Sequence, residues 1–73
     1  MSNYEHGKFI IEQDSYDKTI YLSNSYSNEI VVKLSPINKN INVYLSDVQN
    51  NYFVASKSSR ETIEVSYVVI ESE

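Results

Sequence analysis

Tyr26, Asn28, Asn50, Asn51, Tyr52 and Arg60 all fall in or beside polar stretches that separate apolar runs. A tyrosine ring offers an apolar face able to stack on a sugar, while carboxamides and a guanidinium supply donors and acceptors for hydroxyl groups. Together they could bind a glycan. Arg60 is the sharpest probe, because its planar fork can hold a carboxylate or a pair of hydroxyls, although Glu61 and Glu64 are nearby competitors. The plainer use of the same residue types is to cap strands and build turns.

Other chemistries have less to draw on. Nucleophilic catalysis needs a base and an orienting group beside the nucleophile; the chain has one histidine, His6, in a polar N-terminal stretch, and no cysteine. No enzyme activity and no cofactor are expected. Glu12, Asp14 and Asp17 carry the oxygen ligands that calcium prefers, but their spacing matches no calcium loop, so a solvated acidic turn is the expectation and no metal site is assigned. The net charge of −4 is spread along the chain without a basic stripe, which argues against nucleic acid as a partner. No run approaches the roughly 20 apolar residues that span a bilayer, so membrane insertion is not expected.

The positioning elements follow from alternation. Lys8–Glu12, Lys18–Ser23, Glu29–Leu34, Ile41–Ser46, Tyr52–Ser56 and the closing stretch Glu61–Glu71 read as six strands separated by polar turns, with no helix-period segment. Val48 falls out of phase with Ile41, Val43 and Leu45, which predicts a bulge near Asp47. Pro36 should end the third strand, since it cannot donate to a ladder. The expected fold is all-β, a six-stranded antiparallel β-sandwich over residues 8–73, preceded by a flexible tail over residues 1–7. Its inward set is Phe9, Ile11, Ile20, Leu22, Ile30, Val32, Leu34, Ile41, Val43, Leu45, Phe53, Ala55, Ile63, Val65, Tyr67 and Val69.

A second apolar set, Ile10, Tyr21, Val31, Tyr44, Val54, Val68 and Ile70, falls on the opposite parity. Exposed together they would form an interface patch. A chain of 73 residues has a thin core and no cysteine for disulfides, so oligomerisation is the expected supplement and these seven residues its expected interface.

From about Lys18 onward the chain resembles the H-type lectin-like sandwich, a module that also occurs in bacteriophage tail-fibre and receptor-binding proteins. The resemblance is carried by Ser25-Tyr26-Ser27-Asn28 leading into Glu29-Ile30-Val31-Val32, by Ile41–Val48, by Asn50-Asn51-Tyr52-Phe53-Val54, and by the closing Thr62–Glu71. Glu29 stands where the family often has proline, and Tyr67 where it often has tryptophan. The resemblance implies a homotrimer with neighbouring sheets packed around a threefold axis. It also implies a noncatalytic attachment or structural module of a virion, with cell-surface glycan or other virion proteins as further partners. The alternative is a small acidic phage-encoded protein that binds and inhibits a host protein. The stretch Met1–Lys8 lacks the basic and apolar regions of a signal peptide. With the resemblance, the implied setting is a virion, or the medium after lysis, and otherwise the cytoplasm of an infected cell.

Overall fold

Period-two alternation along the chain becomes six antiparallel strands in a computed structural model that describes residues 4–37 and 39–72. They are β1 (Tyr4–Ile11), β2 (Asp17–Tyr21), β3 (Ile30–Pro36), β4 (Val43–Val48), β5 (Tyr52–Lys57) and β6 (Ile63–Glu71). They form two three-stranded sheets, ordered β1-β6-β3 and β2-β5-β4. β1 lies against β2 and β3 against β4, so the inner faces enclose the core. β4 and β5 form a hairpin within one sheet, whereas the other connections pass between sheets.

β6 is central to its sheet, and this explains its continuous apolar end. Tyr67 and Val69 point into the core while Val68 and Ile70 point out, and both edges of the strand are paired, to β1 and to β3. That pairing also corrects the expected tail. β1 begins at Tyr4, and Tyr4 to Gly7 pair with Ile70 to Tyr67. A sequence window too polar to announce a strand is recruited because the long strand beside it would otherwise leave a row of backbone donors and acceptors unmet. Met1 to Asn3, the rest of the expected tail, lie outside the described residues.

The whole inward set joins one hydrophobic cluster, to which the structure adds Tyr26 and Val48. At its centre Phe9, Phe53 and Tyr67 bring the two sheets together, with ring centroids 5.2 to 5.9 Å apart. Val48 turns inward because the β4–β5 register shifts between Leu45 and Asp47, the bulge that the phase change predicts. Pro36 is the last residue of β3, as expected.

Gly7 has a specific use. It stands opposite Tyr67 in the ladder, and a Cβ there would come within 2.9 Å of the Tyr67 hydroxyl oxygen and 3.0 Å of ring atoms Cε1 and Cζ. The ring therefore lies over bare backbone. The free edge of β1 is partly covered by Lys18, whose Nζ donates to the Ile10 carbonyl at 2.9 Å. Such a charge on an edge blocks pairing with another strand.

Candidate functional site

At one end of the sandwich, two carboxylates hold the β2–β3 connection. Glu5 of β1 accepts from the Tyr26 hydroxyl at 2.7 Å, from Asn24 Nδ2 at 3.4 Å and from the Ser23 backbone amide at 3.2 Å. Glu71 of β6 accepts from the backbone amides of Ser27 at 3.1 Å and Asn28 at 2.9 Å. The β4–β5 hairpin supplies the third side: Asn50 Nδ2 donates to the Tyr26 carbonyl at 2.6 Å, the Tyr26 amide to the Asn50 carbonyl, and the Leu22 amide to the Asn51 carbonyl. The loop is thus clamped by β1, by β6 and by the turn of the β4–β5 hairpin.

This arrangement decides what the expected glycan residues can do. Tyr26 is buried in the core, so its ring offers no face to a ligand. Burial pushes its hydroxyl above the usual tyrosine range; a hydrogen bond from Asn24 offsets part of this, and the charges of Glu5 and Glu71 add to it. Tyr67 is raised as well, by burial and then by Glu5. Asn50 spends its carboxamide on the loop, Asn51 receives Leu22 on its carbonyl, and Asn28 gives its amide to Glu71 while its side chain stays exposed. Tyr52 lies apart, on the outer face of β5, where burial and then Asp47 raise its hydroxyl.

Arg60 lies at the opposite end. Glu5 and Ile11 mark the two ends of β1, about 20 Å apart at the rise of an extended strand, in a molecule 37 Å long. Arg60 donates to Asp14 Oδ1 through Nε at 2.9 Å and Nη2 at 2.8 Å, and its carbonyl accepts from the Asp14 amide at 2.8 Å. Asp14 has φ 66°, at the third position of a turn closed by the Ser15 amide on the Glu12 carbonyl. Aspartate is among the few side chains that tolerate this left-handed geometry. The local partner of Arg60 is therefore Asp14, not Glu61 or Glu64. Gln13, Asp14, Lys39, Arg60, Glu61 and Thr62 line an open polar cleft of about 380 Å³, where Lys39 and Glu61 form a second ion pair at 3.2 Å. The six expected glycan residues thus do not converge on one site.

Alternation did not mark three residues that organise these ends. Glu5, Glu71 and Lys57 each continue the inward parity of their strands, and an inward charge at a strand end signals a local partner. Lys57 is 1% exposed; its Nζ donates to the Ser59 carbonyl at 2.7 Å and lies 5.9 Å from the Tyr16 ring centroid. Among the described residues, no three His, Cys, Asp or Glu side chains gather in a group that could hold a metal ion.

The second apolar set divides between two outer faces. Ile10, Val31, Val68 and Ile70 belong to the β1-β6-β3 sheet, and Tyr21, Tyr44 and Val54 to the β2-β5-β4 sheet. On the first, Tyr4, Ile70 and Val31 stand in one cross-strand row, exposed at 49%, 42% and 48%, with His6, Val68 and Lys33 in the next. On the second, Tyr21 stands beside Tyr52 with ring centroids 5.9 Å apart.

No protein-family model matches the chain, and no curated protein or solved structure matches it significantly. The lectin-like reading accordingly rests on the residue pattern.

Proposed function

We propose that this protein is a noncatalytic assembly and attachment module, a homotrimer whose copies join through the apolar Tyr4–Ile70–Val31 end of the outer face of the β1-β6-β3 sheet. One observation carries the reading: the row Tyr4–Ile70–Val31 is apolar from edge to edge of the sheet and exposed throughout, with Val68 continuing it inward along β6. Contiguous apolar surface of this kind marks an interface, whereas single exposed apolar residues do not. The virion setting, as a tail-fibre or receptor-binding tip or another structural part, comes from the resemblance, and the three-fold arrangement comes from the same source.

Two substitutions on β6 separate interface from core. Val65 is fully buried, so Val65→Asp places a carboxylate in the core and abolishes folding. Val68→Asp instead sets a carboxylate on the outer face between His6 and Lys33, which pair with Val68 across the ladder, so the fold is retained. The expected result is a folded particle of lower mass for Val68→Asp, read by circular dichroism and light scattering, and loss of fold for Val65→Asp. Equal loss of fold from both would contradict an interface on this face. A wild-type monomer would leave the face for a foreign protein and support the inhibitor alternative.

A further inference from the structure

We propose that His6 makes the assembly of this protein pH-dependent: copies join through the outer face of the β1-β6-β3 sheet while its imidazole is neutral and separate when it is charged. The inference rests on the reading that this face joins copies, and it adds a regulator to that face. Register places His6 in the ladder row directly beside the Tyr4–Ile70–Val31 row, across from Val68 and, beyond it, Lys33. His6 is exposed, with its ring centroid 5.6 Å from that of Tyr4. A second copy that covers Tyr4, Ile70 and Val68 therefore covers His6 too. A neutral imidazole packs against apolar groups with one donor and one acceptor to satisfy, whereas an imidazolium must carry its charge out of water.

The charges nearest His6 on this face are cationic. On β1, Lys8 stands two residues along the same side, about 7 Å away at extended-strand rise. From β3, Lys33 closes the His6 row, about 10 Å away across two strand spacings. Lys18 of β2 reaches the β1 edge at the Ile10 carbonyl. The carboxylates are farther: Glu64 of β6 pairs with Ile10, about 14 Å from His6, and Glu29 lies just before β3, beyond Val31. Glu5, though adjacent on β1, turns inward to the Tyr26 hydroxyl. A proton added at His6 thus joins a cationic patch, and a covered face screens that repulsion less than open water does. Assembly then releases protons and strengthens as pH rises through the histidine range. The rest of the molecule pulls the other way. Acidification lowers the net charge of −4 toward zero, which eases repulsion between copies. Weaker assembly at lower pH is for that reason a signature of His6, the one histidine of the chain.

Light scattering of the intact chain tests this, in dilution series at about pH 7.5 and about pH 5.5, which bracket the histidine range, at equal ionic strength. An ordinary histidine passes from about nine-tenths neutral to about one-tenth neutral over two pH units centred on its titration, and apparent affinity falls with the competent fraction. The concentration at which half the protein is assembled should therefore be about tenfold or more higher at the lower pH. His6→Gln, which has no titrating ring, should have one midpoint at both pH values, whatever that midpoint is. Circular dichroism should show both proteins folded throughout, and loss of fold at the lower pH would contradict the proposal. A wild-type midpoint that is unchanged or lower on acidification would overturn the switch and leave the assembly face standing. A shift in His6→Gln equal to that of the wild type would assign the effect to other groups and overturn the switch as well. A wild-type monomer at both pH values would remove the assembly reading itself, and the switch with it.

Discussion

Gly7 shows how one missing Cβ shapes the core. The Tyr67 ring above it is wedged between Phe9 and Phe53, so it cannot move aside for a methyl group 2.9 to 3.0 Å away. Gly7→Ala should cost about 1–3 kcal/mol by overpacking, outweighing the smaller gain from a stiffer unfolded chain. In a Tyr67→Leu background the cost should shrink, and additive costs in urea melts would contradict the contact. The buried hydroxyls make a second prediction. Tyr26 and Tyr67 bind their protons more tightly folded than unfolded, since burial raises both. Their contribution is complete below the unfolded tyrosine value of about 10 and is lost as pH rises through the higher folded values. Urea midpoints should hold to about pH 9 and then fall. Tyr26→Phe should flatten that decline, and an unchanged alkaline slope would sink the assignment.

Among the elements, the β2–β3 connection is held by carboxylates on two different strands, so its halves can be released separately. Glu71→Ala removes the acceptor of the Ser27 and Asn28 amides, and Glu5→Ala that of the Ser23 amide. These residues are exposed, so water takes over each lost bond and the loop should open at a cost of about 0.5–1.5 kcal/mol per bond. Hydrogen exchange should quicken at Ser27 and Asn28 in the first variant and at Ser23 in the second; uniform quickening in both would mean the loop moves as one piece. The strands themselves were legible, because alternation reports which side chains face inward, and even the bulge at Asp47 showed as the phase slip of Val48. Tyr26 was not legible as core: alternation is blind in a loop, where burial comes from tertiary closure by Glu5 and Asn50. Nor was β1 upstream of Lys8, because its pairing is dictated by β6 rather than by its own polar residues. Arg60 and Tyr26 share a residue vocabulary but sit at opposite ends, and spacing in sequence carries no information about which end a loop reaches.

At the scale of the whole molecule, the two outer faces differ in chemistry although alternation groups their apolar residues together. One is aliphatic at its Tyr4–Ile70–Val31 end; the other intersperses tyrosines with carboxylates and hydroxyls. A thin core explains why the aliphatic face would be covered: a chain of 73 residues buries a smaller share of its surface than a larger domain, and a second layer of apolar contacts offsets that deficit. The tyrosine face would then remain open on each copy. Self-association through the Tyr4–Ile70–Val31 end of this face is read by light scattering of the unmodified protein across a dilution series into the low micromolar range. A homotrimer scatters as a particle of three times the 8.4 kDa chain mass, the expected result; a folded monomer throughout the series would contradict assembly through this face.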